Sequence, residues 1–330
     1  MNISNICVLG GGAWGTALAC SLAYSNHNVI LWVRDADTAD KMNNQRVNYK
    51  YLPNVNLPNN ITVTADTTKI CNSDLILVAV PAQENRRVLS DLSDKIPAGT
   101  PLVLCAKGIE YTTNSLMYEV AASCIQGSPL FILTGPGFAI DLANRMPIAL
   151  TLAGSSTQDA LLKEIQNTMH SSRLRIYISH DIISCQIGGA MKNIYAIACG
   201  AVHGMGLGSS SQASLMTRGF YEMSLIARAK GGSLEAISGL SGVGDLVLSS
   251  HSKQSRNFML GYTIATKGYD SHIGTGVCEG EKTTHAILSV SEQLGIELPV
   301  CKMTQQFLEN KLDKENSINI LMERPLKHEF

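Results

Sequence analysis

The sequence predicts an α/β protein: a doubly wound parallel sheet in the first half, then an all-helical second half. Three observations carry this. Unbroken apolar runs recur through the first 180 residues, helical stretches separate them, and past about His180 the strand-like runs stop. Apolar runs that do not alternate mark strands covered on both faces. Strands interleaved with helices mark crossover units of a parallel sheet.

The strands are expected at residues 6–9, 28–33, 74–80, 102–105 and 130–133, with two more at 148–152 and 174–178. Pro81 stops the third run, since proline has no N–H to give a ladder. A helix is expected from Ala13 to Tyr24. In the second half, helical spacing covers 182–202, 211–229, 245–250, 255–265, 281–294 and 301–310. The two domains are expected to be 1–180 and 181–330. No low-complexity linker and no internal repeat marks the joint, so a packed junction with the active site between the halves is expected.

Composition narrows the function. Of 330 residues, 45% are apolar and 16% charged, enough for a large core and unlike a disordered chain. A net charge of −1 gives no basic field for nucleic acid and no polybasic run for a membrane surface. An anionic substrate must then be met by a few placed cations. The nine cysteines are odd in number, form no CxxC and mostly sit in apolar runs. That usage fits core thiols in a reducing compartment, and the N-terminus enters a strand directly, so a cytoplasmic protein is expected. The 182–202 stretch contains Gln186, Lys192 and Asn193, which argues for a buried soluble helix and against a membrane span. None of the eight histidines sits beside a nucleophile in a known motif, and no HExxH or paired Cys/His spacing suggests a metal.

Residues 10–15, GGGAWG, fit G-x-G-x-x-G between a strand and a helix, the context a dinucleotide site requires. Gly10 permits the tight turn, Gly12 the approach of a pyrophosphate, and Gly15 close helix packing. The helix N-terminus then offers free N–H groups and a positive dipole end. The second strand ends in Arg34-Asp35. Asp35 stands near where an acid would bind the ribose 2′-hydroxyl, whereas Arg34 would meet a 2′-phosphate. The pair favours NADP(H), with NAD(H) also accepted; an exposed strand-end charge is the plain alternative for Arg34. Trp14 is either a core aromatic or a wall against the cofactor.

Lys192 is the one charge in 182–202, and apolar residues at spacings of three and four bury one face of that helix. Its side is shared with Gly188, Gly189, Tyr195 and Ala196, mostly small residues that would leave room for a ligand. Burial favours the neutral amine, which suits a general acid/base; a snorkelling lysine is the alternative. Asp245 would either cap a helix or orient Lys192 or a substrate hydroxyl. Ser255-Arg256-Asn257 make a compact anion site, or simply a capped helix start. Lys107 and Gly135-Pro136-Gly137 follow strands, at the carboxyl edge where open α/β sheets bind ligands; a surface lysine and a plain turn are the alternatives.

Seven fragments in order give the chain a specific likeness: GGGAWGT at 10–16, CAKGIE at 105–110, TGPGFA at 134–139, GGAMKN at 188–193, GVGDLVL at 242–248, QSRN at 254–257 and VCEG at 277–280. Together they resemble the bacterial NAD(P)-dependent glycerol-3-phosphate dehydrogenase family. The resemblance implies an N-terminal Rossmann-type domain and an all-α C-terminal domain like that of 6-phosphogluconate dehydrogenase. It implies reversible hydride transfer between NAD(P)H and dihydroxyacetone phosphate, giving sn-glycerol 3-phosphate for phospholipid synthesis, and a homodimer. It makes Lys192 the proton acceptor, with Lys107, Gly135, Gly137, Asp245, Ser255, Arg256 and Asn257 around the substrate. Gly10, Gly12, Trp14, Gly15, Arg34, Lys107, Ala139, Arg256, Val277 and Glu279 would line the dinucleotide. One departure is Gly137, where the family usually has Ser or Thr, so a hydroxyl contact is lost and backbone contacts are left. Two rival readings stay open: another two-domain hydroxyacid or sugar-acid dehydrogenase, and a non-catalytic dinucleotide sensor.

Overall fold

The computed structural model describes residues 3–272, 278–312 and 316. The first half runs β1 (Asn5–Leu9), α1 (Ala13–Tyr24), β2 (Asn28–Trp32), α2 (Ala36–Gln45), β3 (Val47–Asn48), β4 (Leu52–Asn56), β5 (Ile61–Thr64), β6 (Leu75–Val78), α3 (Asn85–Leu92), β7 (Leu102–Leu104), α4 (Met117–Cys124), β8 (Leu130–Thr134), α5 (Ala139–Ala143), β9 (Ile148–Ala153), α6 (Asp159–Met169) and β10 (Leu174–Ser179). Eight strands form one sheet in the order β10-β9-β8-β7-β6-β1-β2-β5, and β3 pairs β4 apart from it. The chain winds outward from β1 to β2 and β5, then returns to β6 and winds the other way. The switch point therefore lies between β1 and β6, and ligands of such sheets bind at its carboxyl end.

Successive side chains of each strand face opposite ways. Val8, Leu31, Leu77, Val103 and Phe131 pack with Leu18 of α1 on one face. Cys7, Leu9, Ile76, Val78 and Leu104 pack with Leu89 of α3 and Val120 of α4 on the other. Both faces are covered, which is why the strands read as unbroken apolar runs.

The fold agrees with the expected α/β plan, with differences in detail. Six strands are parallel; β9 pairs β8 antiparallel, and β10 follows β9 in parallel. The link from β8 to β9 holds only the five-residue α5, and an antiparallel neighbour needs no long crossover. Strand β5 and the β3–β4 pair were not expected. Edge strand β5 alternates buried and solvent-facing residues, so a reading tuned to unbroken runs passes over it.

The second half is helical: α7 (Ile182–Gly204), α8 (Gly208–Ala229), α9 (Leu234–Ile237), α10 (Asp245–His251), α11 (Arg256–Lys267), α12 (Glu279–Leu294) and α13 (Pro299–Leu308). Helix α7 is its axis, buried from Ser184 through Val202. Asp181 caps it, accepting from Ser184 N at 2.7 Å, and its second oxygen accepts from Ser233 N at 2.7 Å. Buried Glu222 of α8 accepts from Tyr195 Oη (3.1 Å) and from Val300 N (2.6 Å) and Cys301 N (3.1 Å), tying α7, α8 and the start of α13 together. Burial pushes the Tyr195 hydroxyl well above its ordinary range, and Glu222 adds to this, so Tyr195 remains the donor.

All nine cysteines are free thiols, six of them buried. Burial pushes Cys7, Cys20 and Cys199 up to about 12, which makes them inert core residues. Among the described residues no helix is long and apolar enough to cross a membrane.

Candidate active site

The glycine loop joins β1 to α1 at the switch point. Gly10 has φ +113°, a left-handed conformation that a side chain would strain, and its N donates to Trp32 O at 3.0 Å. A Cβ on Gly15 would collide with the Gly10 carbonyl, so only glycine lets α1 start this close to the turn. A Cβ on Gly12 would meet nothing within 4 Å, so this side of the loop is open. The open turn and the orphan amides of α1 fit the phosphates of a dinucleotide. Arg34 stands exposed just past β2. Asp35 is otherwise engaged: it caps α2, accepting from Thr38 N at 2.9 Å. That leaves Arg34 as the charged side chain of this pair not committed to a cap.

At the other wall stands a cluster of three charges. Lys192 Nζ donates to Asp245 Oδ1 at 3.0 Å and to Ser249 Oγ at 2.6 Å. Lys107 Nζ donates to Asp245 Oδ2 at 2.6 Å and to Gly135 O at 2.8 Å. Lys192 is 9% and Asp245 1% exposed, so this is no snorkelling lysine. Burial pulls the Lys192 amine below its ordinary value and Lys107 adds to this, while Asp245 opposes it. Burial alone would raise the Asp245 carboxyl, but Lys107 and Lys192 hold it below the usual carboxylate range. The group is therefore an anion shared by two amines, one of them biased toward its neutral form.

Local structure explains the placement. Leu240–Gly244 form a π turn running directly into α10, so Asp245 is the first residue of α10 rather than its cap. Single π turns often mark functional sites. Four residues on, Ser249 shares the helix face with Asp245. The expectation that small neighbours leave room beside Lys192 is corrected. A Cβ on Gly188 would lie 2.5 Å from Ser241 O, and one on Gly189 2.8 Å from Thr134 Oγ1. These glycines let α7 press against the π turn and β8; they do not open a cavity.

Lys107 Nζ lies 5.9 Å from the centroid of the Trp14 ring, which joins the charged cluster to the glycine loop. The Trp14 Nε1 is buried without a partner among the described residues. Trp14 packs on the sheet core, as the core-aromatic expectation had it, and also faces the cluster. A Cβ on Gly137 would sit 3.4 Å from both Trp14 and Ile148, an ordinary contact, so glycine is not sterically required here. Ala139 begins α5 beside this loop.

The Ser255-Arg256-Asn257 segment opens α11. Ser255 Oγ accepts from Phe258 N at 3.2 Å, so this hydroxyl is used as the cap. Arg256 is exposed. Asn257 Nδ2 donates to Asn193 Oδ1 at 2.9 Å, and Asn257 Oδ1 accepts from Gly280 N at 3.2 Å. Glu279, at the start of α12, accepts from Ala82 N at 3.3 Å across the junction. Burial raises its carboxyl, opposed by that N–H and by Arg256, Lys192 and Lys107. Val277 lies outside the described residues. Ser249 and Asn193 escaped the sequence reading. The i, i+4 spacing of Ser249 from Asp245 and the adjacency of Asn193 to Lys192 were the available signals.

Comparison with known proteins gives a consistent picture. The model of the NAD-dependent glycerol-3-phosphate dehydrogenase N-terminus matches residues 5–160, and that of its C-terminus residues 181–319. A glycerol-3-phosphate dehydrogenase [NAD(P)+] of Roseobacter denitrificans is 42% identical, over 98% of this chain and 99% of its own. The protein of the same name from Rhodospirillum rubrum is 39% identical, over 99% and 94%. The crystal structure of glycerol-3-phosphate dehydrogenase from Coxiella burnetii superposes with a TM-score of 0.91 at 32% identity, covering 98% of this chain and 99% of that one.

Proposed function

Because the chain belongs to the NAD-dependent glycerol-3-phosphate dehydrogenase family, we propose that it interconverts dihydroxyacetone phosphate and sn-glycerol 3-phosphate with NADP(H) or NAD(H). The observation that carries the chemistry is the cluster of buried Lys192 and Asp245 with half-buried Lys107 beside the glycine loop. A reduced nicotinamide, when bound, supplies a hydride to the ketone carbon. Lys192 gives its proton to the developing alkoxide and takes it back in the reverse direction. Its lowered pKa eases both transfers, and such positioned acid/base action contributes about 10²–10⁴-fold. Asp245 holds the amine in place, and Lys107 steadies negative charge on the ketone oxygen side. Arg256, with the α11 start at Ser255 and Asn257, takes the phosphate, so remote binding energy orients the carbonyl. Gly135 and Gly137 offer backbone contacts.

In this reading residues 1–180 hold the dinucleotide on Gly10, Gly12, Trp14, Gly15, Arg34 and Ala139. Residues 181–330 bring the lysine, with Arg256, Val277 and Glu279 reaching back to the cofactor. The family likeness supports a cytoplasmic homodimer that feeds glycerophospholipid synthesis. A non-catalytic sensor would gain nothing from burying Lys192 against a carboxylate, an arrangement that costs desolvation.

The test is NADPH oxidation followed by absorbance with dihydroxyacetone phosphate, repeated with NADH and with a panel of 2-keto acids. Turnover confined to dihydroxyacetone phosphate is expected. Lys192→Ala should lose about 10²–10⁴-fold in kcat and still bind NADPH. Near-normal kcat in that variant, or turnover of keto acids alone, would overturn the reading.

A further inference from the structure

The glycine loop is braced from a place that lies outside the main sheet. Asn48, at the end of β3, is 2% exposed. Its Nδ2 donates to Gly11 O at 2.9 Å and to Thr16 Oγ1 at 2.8 Å, spending both amide hydrogens on the loop and the first turn of α1. The hairpin that carries it is itself tied down. Arg46, in a left-handed conformation at φ +52°, donates to the carbonyls of Leu57, Pro58 and Ile61, and its own carbonyl accepts from Leu57 N at 2.8 Å. A non-glycine residue in that conformation is uncommon, so the turn is held by what surrounds it.

The consequence follows from the peptide unit. In a planar trans peptide the C=O of one residue and the N–H of the next point in opposite directions. Holding Gly11 O against Asn48 therefore turns the Gly12 N–H the other way. A Cβ on Gly12 would meet nothing within 4 Å, so the loop is open around this residue. Gly11 and Gly12 lack the side chains that would otherwise restrain this peptide, so the Asn48 bond bears on its orientation more than it would between larger residues. We propose that Asn48 is a positioning residue for the cofactor: by anchoring Gly11 O it presets the Gly12 amide that receives the pyrophosphate, and through Thr16 it fixes the helix start to the same frame. The proposal rests on the glycine loop being the dinucleotide site.

The experiment uses the full chain and two probes, NADPH and adenosine 2′-monophosphate, which lacks the pyrophosphate. Dissociation constants are measured for wild type, Asn48→Ala and Asn48→Leu, the last keeping the volume without the donors. The expected result is NADPH binding about 10-fold weaker, the size of a lost hydrogen bond to an acceptor left unsatisfied, with the monophosphate changed less than about 2-fold. In steady state, KM for NADPH should rise while kcat at saturating cofactor stays near wild type. Thr16→Val, which leaves the Gly11 bond intact, should show a smaller loss, and it carries the comparison if neither Asn48 variant folds: NADPH should then weaken measurably and the monophosphate not at all. NADPH affinity unchanged in these variants, or both probes weakened equally, would overturn the role of Asn48. If wild type bound neither probe, the dinucleotide reading itself would fail, a result distinct from both.

Discussion

Asp245 holds two amines on one carboxylate, and its effect on Lys192 has a definite sign. Burial and Lys107 lower the Lys192 pKa, while Asp245 raises it. In the proposed mechanism reduction of the ketone needs the protonated amine, so it declines as pH rises through that pKa. In Asp245→Asn the raising influence is gone, and the alkaline decline of kcat for reduction should move to lower pH. The rise of the oxidation rate should move with it. A pH–rate profile whose limbs stay in place would rule out this coupling. The same change leaves two amines facing without their anion, and breaking a buried pair in this way costs about 3 kcal/mol or more, readable by denaturant unfolding. Asp245 itself is held below its ordinary pKa when folded. Its contribution is therefore complete above the unfolded value and is lost as pH falls through the folded one. Several of these residues were legible beforehand for a physical reason. A lone lysine in a long apolar helix is expensive, so it invites explanation, and a glycine motif between strand and helix has few other uses. Asn48 was not legible, because an asparagine before a turn looks the same whether it braces a loop or merely faces water.

At the scale of elements, the site depends on how closely α11 lies against α7. A Cβ on Gly261 would run into the Ile197 carbonyl, and one on Gly200 into the Phe258 carbonyl, so each glycine accommodates the other helix's backbone. The start of α11 carries Arg256 and the Asn257–Asn193 link. Gly261→Ala should push α11 outward, costing about 1–3 kcal/mol as overpacking does. KM for dihydroxyacetone phosphate should rise more than kcat falls, since α11 carries the proposed phosphate group contacts and not Lys192. Thr266→Ala, on the exposed side of the same helix, is the control and should stay within about 0.5 kcal/mol of wild type. A Gly261→Ala enzyme with unchanged KM would show that phosphate binding does not depend on this packing. The helices α7 and α11 were expected nearly at their observed bounds, because their apolar spacing is strong and Ser255 caps the start of α11. What spacing alone did not reveal was that glycines on both helices bring the backbones into contact. Nor did it reveal the reversed strands β9 and β10, since strand direction is set by the connection and not by the strand's own residues.

The molecule as a whole is a sheet half and a helical half joined by polar contacts: Lys107 to Asp245 and Ala82 N to Glu279 at the proposed site, and Asn114 Nδ2 to Ser289 Oγ at 2.9 Å. The carboxyl end of the sheet was legible as the proposed site because the glycine loop, Lys107 and Gly135 all follow strands. The partner residues from the helical half were legible only as separate motifs, since nothing in sequence order says that Asp245 reaches across 138 positions to Lys107. This junction makes a thermodynamic prediction. A dinucleotide held by the glycine loop on one side and by Arg256 and Glu279 on the other stabilises both halves at once. A ligand at 100 times its Kd adds about 2.7 kcal/mol to the state that binds it. Calorimetry with and without saturating NADPH should therefore show one transition that moves upward as a unit. If the cofactor touched the sheet half alone, the melt would divide, with the sheet transition rising and the helical one left behind. That outcome would remove Arg256 and Glu279 from cofactor binding while leaving the glycine loop in its role.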